Sequence, residues 1–365
     1  TSTNTPDPPT FTATNTPIPP TATATNTPVP PTPTATHTAV PPTATPTVIA
    51  LLVTNLNDSG TGSLRQVIAS ATAGSTIKFA DGLANGTIRL ASILSINKNL
   101  VIDGEALNIT ISGDTNNDGT GDVRLLLVSS GTVTIKNLTF TKGNAGTSNG
   151  GMAIVLPGAN LTLEQVIATQ NRASNSGGAI ENGGTLTVRN SQWISNSTNL
   201  AGGAIHSWVG VLTVENSQFQ GNSAQWGGAI GARNGSTTII SNTSISDNSA
   251  SIAGGILNEN SRMRIAGTSV FNNRATSDAG GIQNLPNATL WMTNSTVSGN
   301  IAPGWGGGIR HENTSTNTMW NVTDNGNSGG SAGGGDLHLW NSTVAMTNTI
   351  LANAVSGRDC SRNGT

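Results

Sequence analysis

Charge, tyrosine and cysteine are scarce in this chain. Only 9% of its 365 residues are charged, tyrosine is absent, and Cys360 is the single cysteine. One cysteine permits neither a disulfide framework nor a zinc cluster within the chain. The net charge of −2 gives no electrostatic case for binding nucleic acid, and no apolar run approaches the length of a membrane-spanning helix.

Glycine, by contrast, is abundant at 45 residues, and Asn, Ser and Thr occur throughout. This composition is typical of many short strands and tight turns, with a surface that is polar through hydroxyls and amides. The chain opens within a repeat at Thr1, so we expect a processed or trimmed product. The missing signal peptide then does not argue for the cytoplasm, and we expect an extracellular or cell-surface location.

The first 47 residues contain almost only Thr, Pro, Ala, Asn and Val. Pro-Pro pairs recur there every 11 residues, beginning at Pro8, Pro19, Pro30 and Pro41. Proline fixes φ and removes a hydrogen-bond donor, so the pattern disfavours helix and sheet and favours polyproline II. We interpret residues 1–47 as an extended Thr/Pro-rich arm, and its composition also resembles O-glycosylated mucin-like stalks.

Two sequence markers recur with one period in the remainder of the chain. The first is the branched residue after each Gly-Gly pair: Ile154, Ile180, Ile205, Ile230, Ile256, Ile282, Ile309 and Leu337. The second is an Asn, or its replacement, after a short alternating strand: Asn137, Gln165, Asn190, Asn216, Asn242, Gly267, Asn294, Asn321 and Asn348. Both recur every 25–28 residues, which indicates an internal repeat of about 26 residues.

Apolar residues alternate before the second marker, as in Leu186 and Val188, which recur as Leu212 and Val214. Alternation places them on one face of a strand. Because every repeat has the same order of elements, the strands stack in parallel rather than as hairpins. The sequence therefore predicts an all-β fold: a single-stranded, right-handed parallel β-helix of about 26 residues per turn.

Equivalent side chains of such a β-helix stack as a core column. We predict this column to be Phe140, Ala168, Trp193, Phe219, Ile245, Val270, Val297, Asp324 and Leu351. Asp324 is the one misfit, which indicates either a register slip near Met319–Asn327 or a loosening of the coil. We also expect the Asn of the second marker to form an amide ladder in a bend, and the Gly pairs to allow tight corners.

We divide the chain into the arm at 1–47, a capping segment with irregular turns at 48–125, and regular turns at 126–365. Within Gly62–Ala71 the apolar residues have helical spacing, which predicts a short amphipathic helix capping the first turn. Cys360–Thr365 is too short and polar to cap the last turn, which we expect to be open.

Several motifs resemble those of a bacterial family. GGAI boxes occur in three successive repeats, at Gly177–Ile180, Gly202–Ile205 and Gly227–Ile230. With the FxxN element at Phe219–Asn222, they resemble the repeats of polymorphic outer-membrane proteins. Ser63–Ile68 resembles the CSLREAI box that opens many such secreted β-helix proteins, with Gly62 in place of the family's cysteine. The resemblance covers residues 51–360 and implies a secreted, surface-displayed and often adhesive protein.

Carbohydrate-cleaving enzymes also use β-helices, and they need several Asp residues with Arg or Lys on one sheet face. The carboxylates of the regular turns are scattered over different repeat positions: Glu164, Glu181, Glu215, Asp247, Glu259, Asp278, Glu312, Asp324 and Asp336. We therefore predict no catalytic and no cofactor-binding residue. Glu181 and His206 are one repeat apart and are expected to be a solvated polar pair, and His311 beside Arg310 and Glu312 is interpreted in the same way.

Asp114–Asp122 reads DTNNDGTGD, which matches the first six positions of the calcium-loop pattern D-x-[DN]-x-[DN]-G. Asp114, Asn116, Asp118 and Asp122 are the candidate ligands of a structural Ca²⁺. Position twelve of the pattern is Leu125 rather than the bidentate Glu. A plain Asx-rich turn remains the alternative interpretation.

Trp226 and Trp305 each lie four residues before an Ile marker and are expected in loops, either packed on the coil or able to stack on sugar rings. Many Asn-x-Ser/Thr sequons occur, including those at Asn108, Asn196, Asn294 and Asn341, but in so polar a chain they carry little information. Our main hypothesis is a non-enzymatic extracellular structural or adhesive protein that self-assembles into a filament through rod stacking and the arm. The alternatives are a polysaccharide lyase or hydrolase, or a carbohydrate-binding adhesin.

Overall fold

The computed structural model describes residues 51–331 and 333–363. These residues form an all-β parallel solenoid of about 12 turns with about 26 residues per turn, which confirms the predicted fold class. The predicted arm at residues 1–47 lies outside the described residues. No helix among the described residues is long and apolar enough to cross a membrane.

Each regular turn contributes strands to the same sheets, and the strands of successive turns pair in parallel. Sheet A has 21 strands: β1 (Leu51–Val53), β2 (Ser75–Phe79), β3 (Thr87–Arg89), β5 (Leu100–Asp103), β6 (Ile109–Ser112), β8 (Thr132–Lys136), β9 (Leu138–Thr141), β11 (Asn160–Glu164), β12 (Ile167–Thr169), β15 (Thr185–Arg189), β16 (Gln192–Ile194), β19 (Val211–Glu215), β20 (Gln218–Gln220), β23 (Thr237–Ser241), β24 (Ser244–Ser246), β27 (Arg262–Ala266), β28 (Ser269–Phe271), β31 (Thr289–Ser298), β33 (Thr316–Asn325), β35 (Thr343–Thr347) and β36 (Ile350–Ala352).

Sheets B and C complete the turn. Sheet B has 11 strands: β4 (Leu94–Ile96), β7 (Leu126–Val128), β10 (Ala153–Val155), β14 (Ile180–Asn182), β18 (Ile205–Trp208), β22 (Ile230–Arg233), β26 (Ile256–Glu259), β30 (Ile282–Asn284), β32 (Ile309–Glu312), β34 (Gly334–Trp340) and β37 (Arg358–Asn363). Sheet C has five strands: β13 (Arg172–Ala173), β17 (Ser197–Thr198), β21 (Ser223–Trp226), β25 (Ser249–Ile252) and β29 (Arg274–Asp278).

The predicted core column is present without a gap. Phe140, Ala168, Trp193 and their successors pair in register from turn to turn, and Trp193 stacks on Phe219 with 5.7 Å between ring centroids. Asp324 keeps its place in the column between Val297 and Leu351, and it is fully buried. Of the two expected alternatives near Met319–Asn327, the register slip is wrong, because Asp324 stays paired with Val297 and Leu351.

Sharp bends follow the alternating strands at the second marker. All nine marker residues have φ between 48° and 58°, in the left-handed region that Asn and Gly adopt most readily. The buried amide ladder, however, is formed by the other Asn of the repeat, the last residue of the FxxN element. Its members are Asn171, Asn196, Asn222, Asn248, Asn273, Asn300 and Asn327.

The Gly-Gly pairs form the corners before sheet B. At Gly227 the backbone has φ of 65°, as the corner requires, and at the next residue a Cβ would overlap the carbonyl oxygen of Gly254 in the following turn.

The register of sheet B corrects one residue of the first sequence marker, because Ala153 rather than Ile154 pairs with Ile180. Ile154 pairs with Glu181 and lies one position later than expected.

The two ends of the solenoid differ. The helix α1 (Leu64–Ser70) buries Leu64, Val67 and Ile68 and covers the first turn, as predicted. A single 3₁₀ turn, Asp81–Leu83, follows β2. At the other end, apolar residues of the last described turn are exposed, among them Met346 at 45% and Ile350 at 58%.

Candidate functional site

From β14 onward, the residue that follows the buried Ile column position in each sheet B strand points away from that column, yet most of these residues are buried. They are Glu181, His206, Gly231, Leu257, Gln283, Arg310, His338 and Ser361. The preceding corner lies over them, since a Cβ on Gly231 would lie 3.1 Å from the backbone nitrogen of Gly202 and 3.5 Å from the Cβ of Ala201. The fold thus encloses a row of side chains between sheet B and the corners, outside the core.

Arg310 is the centre of the most highly charged part of this row. One guanidinium nitrogen lies 2.8 Å from Oδ2 of Asp278, and the other lies 2.8 Å from Oε1 of Glu312. Gln283 donates to the same Glu312 oxygen at 2.9 Å. Arg310 and Gln283 are buried while both carboxylates are half-buried, so the acidic groups lie between the arginine and the solvent.

Trp305, in the corner that precedes β32, covers this arrangement. Its ring lies 5.1 Å from the Arg310 guanidinium carbon and stacks on the imidazole of His338 at 5.8 Å. The backbone nitrogen of Trp305 donates to Asp278 at 3.0 Å, which fixes the corner against the end of β29. We refer to Asp278, Gln283, Trp305, Arg310, Glu312 and His338 as the Arg310 cluster. Trp340 borders it, with its ring 5.7 Å from that of Trp305.

Burial determines the ionisation of the cluster. It lowers the pKa of His338 to about 4, and the Arg310 charge acts in the same direction, so this imidazole is neutral at pH 7. Its Nδ1 lies 2.6 Å from the Ser361 hydroxyl. Burial likewise raises the pKa of Glu312, helped by Asp278 and opposed by Arg310 and Gln283. The cluster can offer carboxylate oxygens to hydroxyl groups beside two indole rings, which is how proteins hold the polar and apolar faces of a sugar.

The expectation that the carboxylates are scattered is wrong for four of them. Asp278 and Glu312 converge on Arg310. Asp324 and Asp336 each accept from the side-chain nitrogen of Asn327 at 2.7 Å. Glu181 and His206 are neighbours as predicted, with 2.9 Å between Oε2 and Nδ1, but the pair is not solvated. His206 is only 2% exposed. His311 is also buried, on the inner face of sheet B, and burial lowers its pKa to about 3.

Side-chain and backbone donors occupy the carboxylates of the Asp114–Asp122 loop. Asp114 lies 2.8 Å from Lys142 Nζ, and Asp122 accepts from the backbone and hydroxyl of Thr115 at 2.9 and 2.6 Å. Asn116 donates to Asp118 at 3.0 Å. Across the described residues, no three His, Cys, Asp or Glu side chains converge as a metal site, and calcium binding at this loop stays a prediction.

The predicted loop tryptophans have different surroundings. Trp226 ends strand β21 instead of lying in a loop, and the Arg233 guanidinium lies 5.2 Å from its ring. Trp305 is in the corner before β32, as expected. Asn196 is completely buried within the amide ladder, so its sequon is not a glycosylation site in the folded protein.

Sequence reasoning missed His338, Gln283 and Trp340. They come from β34 and β30, and the period alone does not show that the corner holding Trp305 folds over them. The register of Gln283, Arg310 and His338 in one column was available from the Ile marker, since each follows a marker residue by one position. That offset would have identified the row.

A shallow groove of about 560 Å³ lies on sheet A, along the bends between the two sheet A strands of four successive turns. Its walls are amides and hydroxyls of the bends, such as Asn190, Ser217 and Thr243, without a titratable or aromatic side chain. It offers hydrogen bonds but no acid, base or nucleophile, so the Arg310 cluster is the better candidate site.

No protein-family model matches the chain, and neither does any curated protein. Among solved structures, the chain is similar to the A-module of the mannuronan C-5 epimerase AlgE6 of Azotobacter vinelandii. The two share 14% identity at a TM-score of 0.38, over 82% of this chain and 98% of that one. A likeness at this level carries no functional argument. The similarity to polymorphic outer-membrane protein repeats stays a resemblance.

Proposed function

We propose that this protein is a non-enzymatic extracellular β-helix, structural or adhesive, that binds carbohydrate at the Arg310 cluster. The observation that carries the proposal is the pair of half-buried indoles, Trp305 and Trp340, whose ring centres are 5.7 Å apart. Trp340 pairs in register with Glu312 of the preceding turn. Indole faces stack on the C–H faces of sugar rings, and fixed carboxylates accept hydrogen bonds from ring hydroxyls. A rigid coil keeps both groups in place before the ligand arrives, which lowers the entropy cost of binding.

The test is a glycan array followed by titration of the best neutral glycan into the full chain. Trp340→Ala and Glu312→Gln should each weaken binding about 10-fold, the loss expected for one stacking or charged hydrogen-bond contact. Trp208→Ala is the matched control, because Trp208 is also a surface indole of sheet B, is 42% exposed, and lies outside the cluster. Unchanged binding in both cluster variants, or no glycan bound by the natural chain, would contradict the proposal.

A second candidate is cleavage of a polysaccharide at the same cluster. Two carboxylates share Arg310, and burial raises the pKa of Glu312, as suits a general acid. Incubation with the glycans that bind, followed by assay of new reducing ends, distinguishes the two functions. Activity that disappears in Glu312→Gln while binding persists supports an enzyme, whereas stable glycans support an adhesin.

Self-assembly into a filament is the finer form of the structural proposal. Its support is the exposure of the apolar residues Met346, Ile350 and Val355 among the described residues, since exposed apolar side chains favour association of rods. Light scattering and electron micrographs of the full chain and of a chain lacking residues 1–47 test it. Fibres lost on deletion assign assembly to the arm, and a monomer at all concentrations contradicts the filament.

A further inference from the structure

A second surface, on sheet A, combines arginine with tryptophan. In strands β27, β31 and β33, Arg264, Trp291 and Thr318 pair in register and point outward. The Arg264 guanidinium carbon lies 5.4 Å from the Trp291 ring centre, a cation–π distance. Arg262 lies two residues earlier on the same face of β27 and is also exposed.

Trp320 extends this surface by one turn. It is 53% exposed and lies on the outward face of β33, two residues after Thr318. Strands are about 4.8 Å apart and alternate residues about 6.7 Å apart, so the Cα atoms of Trp291 and Trp320 are separated by about 8 Å. From Arg264 to Trp320 the same geometry gives about 12 Å, the length of two to three sugar rings. We call Arg262, Arg264, Trp291 and Trp320 the Arg–Trp patch.

The charge of the patch is not compensated. In earlier turns of sheet A, exposed charges form cross-strand pairs, such as Lys136–Glu164 and Arg189–Glu215. No ion pair to Arg262 or Arg264 forms among the described residues. β27, β31 and β35 contain no acidic residue, and the one acid of β33, Asp324, is buried in the core. A chain with a net charge of −2 thus presents two uncompensated guanidinium groups beside two indoles.

We propose that the Arg–Trp patch binds an anionic polysaccharide through its carboxylate or sulfate groups. This inference rests on the proposed carbohydrate binding and adds a second site with a defined ligand class. Guanidinium groups form bidentate, charge-assisted bonds to such anions, and the indoles stack on the intervening rings. Single-stranded nucleic acid also combines negative charge with stacking, but it is bound in longer basic grooves than two arginines provide.

Titration calorimetry of the full chain with polygalacturonate, dextran sulfate, neutral dextran and oligo(dT) tests the inference. We expect one or both polyanionic glycans to bind, with affinity that falls as salt rises. Preference for polygalacturonate assigns carboxylate recognition, and preference for dextran sulfate assigns sulfate recognition. The double variant R262Q/R264Q and the single variant Trp291→Ala should each lose about 10-fold or more in affinity.

Arg274→Gln is the matched control, because Arg274 is an exposed arginine on sheet C, outside the patch. Thermal melts of all variants show whether each coil is intact, and the double arginine variant keeps the inference testable if Trp291→Ala melts early. Unchanged affinity in R262Q/R264Q, no polyanion bound by the natural chain, or tighter binding of oligo(dT) would overturn the inference. If only Trp340→Ala weakens polyanion binding, carbohydrate binding at the Arg310 cluster stands and the Arg–Trp patch is not a site.

Discussion

Asp336 ends the buried asparagine ladder by accepting, at one carboxylate oxygen, the backbone N–H of Asn327 at 3.0 Å and its side-chain N–H at 2.7 Å. Within the ladder, each Asn gives the same two donors to the amide oxygen of the Asn one turn later, as Asn222 does to Asn248. The amide dipoles therefore point one way, with their donor end toward Asp336. A carboxylate at the donor end of aligned N–H dipoles is electrostatically favourable.

A break in the middle of this ladder should destabilise the coil. Asn248→Ala removes the acceptor of both Asn222 donors at 2.9 Å and leaves the Phe219 carbonyl without the side-chain donor at 3.1 Å. Buried polar groups without partners cost about 1–3 kcal/mol each, so we expect a loss of about 3 kcal/mol or more in unfolding free energy, read by urea denaturation. Asn160→Ala, at an exposed strand position, is the control and should change little.

The ladder also predicts where aspartate is tolerated. Asp336→Asn keeps an oxygen in front of Asn327 and should fold normally. Asn248→Asp places a carboxylate oxygen against the Phe219 carbonyl and the Asn273 amide oxygen, where the native side chain donates at 3.1 and 2.9 Å. It should lower the thermal midpoint more than Asp336→Asn does, and equal midpoints would show that the dipole direction is unimportant.

The two glycines of each corner should differ in their tolerance of alanine. At the first position, Ala253 and Ala279 occur naturally with φ of 59° and 56°. At the second position, a Cβ on Gly228 would overlap the carbonyl oxygens of Gly254 and Ser249. Gly228→Ala should therefore cost about 2 kcal/mol or more, as backbone displacement in a packed coil does.

Gly227→Ala, one residue earlier, should cost less than Gly228→Ala in the same thermal melts. Gly82→Ala is the neutral control, because a Cβ there meets nothing within 4 Å. A larger loss in Gly227→Ala than in Gly228→Ala would indicate that the positive φ of Gly227 and the close approach of a Cβ there to the Ile230 carbonyl oxygen outweigh contact between turns.

The sequence predicts the core column because stacking repeats the same side-chain position every turn. Phe140 to Leu351 could be aligned from the period and the strand alternation alone. The position of Ile154 was predicted wrongly because it is the first branched residue after its Gly pair but not the one in the column. Two residues, Met152 and Ala153, precede it, and Ala153 occupies the column position. The Arg310 cluster could not be predicted from the repeat period. Asp278 ends a sheet C strand and Trp305 lies in the corner before β32, so their approach to Arg310 depends on how that corner folds over sheet B.

The Asp114–Asp122 loop is predicted to bind Ca²⁺ weakly. Lys142 forms an ion pair with Asp114 at 2.8 Å and lowers the pKa of that carboxyl, so a calcium ion must compete with the lysine. We expect calorimetry to give a Kd of about 10⁻⁴–10⁻³ M. Lys142→Met should tighten binding and Asp118→Asn should weaken it, while Asp81→Asn, outside the loop, is the control. No heat of binding in the natural chain or in Lys142→Met would establish a plain Asx-rich turn.

Asp324 should make the coil less stable at neutral pH than in mild acid. Burial, reinforced by Asp336, raises the pKa of Asp324 well above its ordinary value of 3.8. The folded protein then holds this proton more tightly than the unfolded chain, so the stabilising contribution is complete below about pH 3.8 and is lost as pH rises through the folded pKa.

The variant Asp324→Asn tests this pH dependence. It keeps an oxygen for the Asn327 amide, which lies 2.7 Å away, and removes the titration. Its thermal midpoint should exceed that of the natural chain at pH 7 and approach it near pH 3, whereas exposed Asp81→Asn should follow the natural chain throughout. A difference that stays constant from pH 3 to pH 7 would mean that Asp324 does not carry the pH dependence.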